Sequence, residues 1–388
     1  MKLTPTLSTL ILMLSLTSTG QADDLATPAT PPTATEAVST PATAPTLAVS
    51  DEDIRALLTA MTDKVIVPTY QALEAHTQTL ATASQTFCTK PDLANFNSVK
   101  AAWSAALSTW QQTDAFTIGP ALDEQFDFNF YFRPIKKNLV NTVLKSTEPI
   151  TPEILKKNGV GVQGFAALEY LLFERDQSEA DVLNRFTHSK RCEYLVAAST
   201  LLHTHSTTLL HTWTPHFSDA MKEVGKGSTE FVTAPEAFNV VMNRVYQAAE
   251  NAKLKLQPAL GQPAFQAGLD PQREQVKPYQ LEAWRSGHTL ANTKATLLGV
   301  EQMLVAGGVL DWLKQQDKAL LAGEFESLFQ RIKAIEFPSS DLFAQLEARD
   351  FKAADALFNE AQMLTRYYKQ RLASTLGVSL GFNENDGD

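Results

Sequence analysis

Two cysteines, Cys88 and Cys192, are all that 388 residues carry, which leaves little room for thiol chemistry or a cysteine-rich metal site. A His-Glu-x-x-His string is also missing, and with it the helix that places two imidazoles one turn apart around a zinc peptidase's carboxylate base. There is no Gly-x-Ser-x-Gly elbow and no glycine-rich phosphate loop, so serine-hydrolase and nucleotide chemistry have no local signature. Positive charge is scarce: 33 Lys and Arg stand against 43 Asp and Glu, a formal net charge of −10, and no basic run breaks that balance. Nucleic acid and anionic membrane surfaces are thereby excluded as natural partners. Alternating β-branched runs between turns are absent as well, so no sheet is expected.

What is present begins with an export pattern. Lys2, the apolar stretch from Leu7 to Leu16 and the small-x-small triplet Gly20-Gln21-Ala22 read as a signal peptide over residues 1–22, cleaved before Asp23. That stretch is too short to span a bilayer, no later segment reads as transmembrane, and neither cysteine lies at the cleavage point to take a lipid. An exported, periplasmic protein is expected, with an envelope-associated or cell-surface position as the variant. In that compartment Cys88 and Cys192 are expected to pair. Residues 23–50, rich in Ala, Thr and Pro, cannot bury enough surface to fold and read as a tether.

From Asp51 onward apolar residues recur at helical spacing. One helix is expected from Asp51 to about Phe87, and a second opens at Pro91-Asp92 and carries Trp103 and Trp110 on one face. Others are expected over Arg133–Lys145, Asp181–Trp213, Pro235–Leu256, Pro271–Val305, Gly308–Leu321, Glu324–Ile335 and Asp341–Leu376. Gly225-Lys226-Gly227-Ser228 is the natural boundary. The fold class is therefore all-α, with two tandem helical-bundle domains over residues 51–225 and 226–388.

The segment Gly161-Val162-Gln163-Gly164-Phe165-Ala166-Ala167-Leu168-Glu169-Tyr170-Leu171-Leu172-Phe173-Glu174 departs from simple core patterning. At helical spacing Glu169 shares a face with Phe165, Leu172 and Phe173, and a carboxylate there is expensive to bury without a cation, a metal or several donors. It reads either as an acceptor in a pocket or as an ion pair with an arginine such as Arg133 or Arg285. Asp114, one turn after Trp110 and before the Gly119-Pro120 break, is a second candidate acid. The aromatic run Phe128-Asn129-Phe130-Tyr131-Phe132-Arg133-Pro134-Ile135 reads as a packed loop with polar tips, Asn129 and Arg133, over a cleft. Within the expected Pro271–Val305 helix, Arg285 and His288 form the most polar patch. His203 and His211 share a helix face but stand about 12 Å apart, too far to hold one zinc ion directly. The acidic end, Asn383 to Asp388, lacks the spacing of a calcium-binding EF-hand loop.

Three stretches, in order, resemble the imelysin family of exported bacterial proteins. Gly164 to Glu169 is similar to its Gly-x-His-x-x-Glu motif; Trp103, Trp110 and Asp114 to Pro120 are similar to its Trp-containing helix and acidic turn; Leu376 to Asp388 resembles its C-terminal tail. The resemblance implies a double helical bundle, a setting in iron or haem acquisition, and a historical metallopeptidase label. Ala166 stands where the motif has His, which weakens iron or any other metal as cofactor, with Glu169 and Asp114 as the remaining metal candidates. The expectation is a non-enzymatic binding or accessory component for an unknown small ligand, a metal or a haem-related compound. Its inter-domain cleft would draw on Asp114, Asn129, Arg133, Gly164, Ala166, Glu169, Arg285 and His288. A metallopeptidase and an envelope protein that docks a partner are the alternatives.

Overall fold

The Ser50 hydroxyl accepts the Asp53 amide and starts the Asp51–Met61 helix, whose first turn is acidic as the helix dipole favours. The helix continues to Thr89, two residues beyond the expected end, through one π-helical turn at Thr62–Ile66. Pro68, which has no amide to give to the Lys64 carbonyl, sits at that turn. Asp92 caps Leu93–Gln112 through the Asn95 amide, 2.9 Å away. The computed structural model describes residues 49–227, 230–260, 276–337, 339 and 341–381, and no strand occurs among them. The expected signal peptide, nearly all of the tether and the acidic end lie outside the described residues.

The first group of helices packs Val67–Thr89 between Leu93–Gln112 and Arg191–Thr212. Leu73, Leu80, Phe87, Phe96 and Trp103 fill the space between them. Cys88 and Cys192 form a disulfide that ties the end of one helix to the start of another across 104 residues. In the chain-entropy model a loop of that length is worth about 4–5 kcal/mol. The Gly164–Leu172 helix lies on Arg191–Thr212. The second group assembles Ala234–Leu260, Thr289–Val305, Ala319–Ala334 and Lys352–Tyr367, with Tyr368 donating to the Met242 carbonyl at 2.7 Å.

Several elements differ from the sequence reading. The aromatic run is not a loop throughout, since Phe126–Tyr131 is a short helix. Asp181–Trp213 is two helices, Glu179–Thr187 and Arg191–Thr212. The largest difference is at Pro271–Val305: its described part is a 3₁₀ turn and a loop up to His288, and the helix starts only at Thr289. Ala283 and Gly287 there have φ of +50° and +72°, which helical backbone forbids. The Arg285 and His288 patch therefore lies on a loop and not within a helix.

The two groups meet along a seam where Thr289–Val305 crosses Leu93–Gln112 and Ala234–Leu260 meets Asp51–Met61. The crossing is backbone to backbone: a Cβ on Gly299 would lie 2.2 Å from the Gln112 carbonyl oxygen. The apolar stretch Thr289–Gln315, with mean hydropathy 1.2, is largely buried at this centre and reads as a core helix.

Candidate functional site

Glu169 reaches the seam from the Gly164–Leu172 helix and is 5% exposed. Its Oε1 accepts two hydrogen bonds from across the seam, from the Ser286 amide and the Ser286 hydroxyl, each 3.0 Å long. Among the described residues no guanidinium bonds to it; Arg285 acts on it through its charge and its backbone amide. Burial pushes the Glu169 carboxyl above its ordinary value, and the Ser286 donors and Arg285 offset only part of that rise. The loop that supplies Ser286 can approach because Gly287 has positive φ and packs against Asp341.

A cavity of about 540 Å³ opens beside Glu169 and Ala166. Three cations border it, Arg133, Lys137 and Arg285, together with the rings of Tyr279 and Trp284. Arg285 lies over Trp284 at 4.0 Å, and Tyr279 meets Trp284 edge-on at 5.0 Å while remaining 71% exposed. Among the described residues neither Lys137 nor Arg285 has an ion-pair partner. In a chain of net charge −10 this is a local positive hollow with an aromatic wall.

Arg133 also borders a second cavity, of about 450 Å³, which holds Asp114. Asp114 does not join Glu169. Its Oδ2 accepts from Lys255 at 2.7 Å and from Thr296 at 3.3 Å, and its carbonyl accepts from Arg244 at 2.8 Å. Burial raises the Asp114 carboxyl, but the charges of Lys255 and Arg244 outweigh it and hold the group below the ordinary value. Glu282, 3% exposed, lines this second cavity: it pairs with Arg133 at 3.3 Å and accepts from Gln111 at 2.6 Å and Asn292 at 2.9 Å.

Of the sequence candidates, Arg133, Ala166, Glu169 and Arg285 thus line one cavity and Asp114 the other. Gly164 lines neither. It lets the helix start against the Phe126–Tyr131 backbone, where a Cβ would sit 2.3 Å from the Phe130 carbonyl oxygen. Asn129 faces that same contact, its side chain turned to the Gln125 carbonyl. His288 braces the seam between Ser104, 2.7 Å from Nε2, and its own loop, and burial keeps its ring below the ordinary value. His205 is buried against Gln163, and burial lowers it to about 4.

Lys255, Glu282, Asp127 and Tyr131 were not among the candidates. On a linear sequence Lys255 and Glu282 look like solvated charges, and only the crossing of the two groups buries them. Among the described residues no three His, Cys, Asp or Glu side chains cluster closely enough to hold a metal ion. With Glu169 engaged by Ser286 and Asp114 by Lys255, these residues do not form the donor set a transition metal needs.

Comparison with known proteins adds a lineage. The family model described as imelysin matches residues 66–364. Iron-regulated protein A of Synechococcus elongatus is 26% identical over 293 residues, covering 71% of this chain and 74% of that protein. An imelysin-like protein from Psychrobacter arcticum has the same fold, with a TM-score of 0.63 at 21% identity over 87% of this chain and all of that one. So does a Parabacteroides distasonis structure described as an iron-regulated protein A precursor, with a TM-score of 0.61 at 17% identity over 83% and 96% of the two chains.

Proposed function

The chain belongs to the imelysin family, and we propose that it is a non-enzymatic binding or accessory component of iron acquisition that holds a small anionic ligand in the Arg285 cavity. Its kinship with an iron-regulated protein supports the setting. The observation that carries the ligand class is the hollow itself: Lys137 and Arg285, without ion-pair partners among the described residues, Arg133, paired with Glu282, and two aromatic rings stand around a carboxylate that burial inclines toward its neutral form. Unpaired guanidinium and ammonium groups around an apolar wall suit a planar or carboxylate-bearing anion. An iron chelate such as ferric citrate, or haem with its propionates, has that chemistry.

The disulfide and the export pattern support a periplasmic location for the processed chain. We read the two helical groups as two domains meeting near residues 225–226, with the cavity on the seam between them. The metallopeptidase reading gains no support from the donor geometry.

Trp284, one of five tryptophans, borders the cavity, and Trp284→Phe isolates its share of the fluorescence. Titrating residues 23–388 with ferric citrate and with haem is expected to quench its fluorescence saturably for at least one of them. Arg285→Glu and Lys137→Glu together are expected to weaken that binding by about a hundredfold, the scale of two charge-assisted contacts. If neither compound binds, or if the charge reversals leave affinity unchanged, the proposal fails.

A further inference from the structure

The lining of the second cavity carries one more carboxylate than cations. Its charged lining contains two acid–base pairs, Asp114 with Lys255 at 2.7 Å and Glu282 with Arg133 at 3.3 Å, which cancel. One carboxylate is left over. Asp127, from the Phe126–Tyr131 helix, has a buried Oδ1 without a hydrogen-bond partner among the described residues, and no cation pairs with it there. The Tyr131 hydroxyl, also buried, makes no hydrogen bond of good geometry and has the Ala283 amide as its near polar neighbour. A buried acceptor left unmatched is costly, and native proteins rarely keep one without an occupant that supplies the missing donor.

The walls say what kind of occupant. Trp110, Phe128 and Phe132 line the space, and Phe128 is 46% exposed although nothing in the core requires a phenyl ring at the surface. An inorganic cation would need several oxygens in place of these rings. A lone water would satisfy Oδ1 but leave the aromatic lining wet. An ammonium on an apolar body satisfies all three features: N–H groups for Asp127, positive charge for the uncompensated carboxylate, and cation–π contact with the rings. The volume, about 450 Å³, lies within the usual span of small-molecule sites.

We propose that the Asp127 cavity is a second binding site, for a small organic ammonium, separate from the anion site on the other side of Arg133. Asp127 accepts the ammonium protons, Trp110, Phe128 and Phe132 enclose the body, and Glu282 neutralises Arg133 by pairing with it. One seam then carries two sites of opposite polarity. This inference does not rest on the identity of the anionic ligand.

The test uses 2-phenylethylammonium as probe, with 2-phenylethanol and phenylacetate as the neutral and anionic controls, followed by calorimetry on residues 23–388. Saturable binding of the ammonium is expected, with phenylacetate not binding and phenylethanol weaker by about tenfold or more. Asp127→Asn, which keeps the shape and removes the charge, is expected to weaken the ammonium by about tenfold and leave phenylethanol unchanged. Phe128→Ala, at an exposed position that the fold tolerates, is expected to weaken both. Absence of saturable ammonium binding, equal affinity for phenylethanol, or indifference to Asp127→Asn overturns the proposal. Circular dichroism of each variant separates a lost site from a lost fold.

Discussion

Asp114 meets the ammonium of Lys255 at 2.7 Å and lies in the field of Arg244, whereas the hydrogen bonds on Glu169, on the same seam, come from backbone amides and the Ser286 hydroxyl among the described residues. Glu169 is buried and Asp114 half-buried, and both join the first helical group to the second. Their proton affinities nevertheless move apart: cations hold Asp114 below its ordinary value, and burial leaves Glu169 above its own. A carboxylate fixed by a buried cation has its charge settled by the fold. One fixed by neutral donors beside an open hollow keeps a charge that a ligand can still change. Asp114 is therefore read as the clasp of the seam and Glu169 as its responsive side.

The largest expected effect breaks the clasp. Asp114→Ala strands the Lys255 ammonium among Gln111, Thr296 and the cavity, and a buried charge that loses its partner costs about 3 kcal/mol. Urea unfolding of the disulfide-intact protein measures this. Glu169→Gln keeps an oxygen for both Ser286 donors and is expected to cost no more than about 1 kcal/mol. If the order of these two variants is reversed, the division into clasp and responsive acid is wrong.

The pH dependence sharpens the same contrast. Glu169 has a folded value above the ordinary 4.5, so the folded chain keeps this proton after the unfolded chain has lost it. Its share of stability is complete below that ordinary value and is lost as pH rises through the folded value. Asp114 has a folded value below the ordinary 3.8; its share is present above that and is lost as pH falls through the folded value. Urea midpoints measured against pH should show both limbs, with Glu169→Gln flattening only the upper and Asp114→Asn only the lower.

Much of this architecture is legible from periodicity. The helices around Trp103, Cys88 and Cys192 follow from apolar spacing and capping residues, and the disulfide from compartment and count. Glu169 stands out because a lone carboxylate on an apolar stripe has to be satisfied somewhere. The identity of its partner was not legible. An arginine was one of the two alternatives and a pocket acceptor the other; Ser286 supplies the bonds because residues 281–288 turn where helical spacing suggested continuation, and positive φ at Ala283 leaves no local pattern in an alanine. The second cavity was hidden for a related reason. Asp127 and Lys255 acquire meaning only when the seam closes, and the closeness of that approach is written in the missing side chain of Gly299 rather than in any charged residue.

The smallest expected effect tests Ser286 itself. Its hydroxyl lies 3.0 Å from Glu169 Oε1 and also 3.0 Å from the Ala283 carbonyl, so its single proton serves one acceptor at a time, while the backbone amide stays on Glu169 throughout. Ser286→Ala removes the shared donor and leaves the fixed one. Ionised Glu169 then loses part of its support and its carboxyl moves further up, whereas the protonated form loses much less. The cost is therefore expected to be about 0.5–1 kcal/mol at neutral pH and close to nothing below the ordinary carboxyl value. Comparing urea midpoints of Ser286→Ala and the parent protein at neutral and acid pH reads this directly. An equal loss at both would mean that the hydroxyl holds the loop through Ala283, and that the backbone amide alone ties Glu169 to the second group.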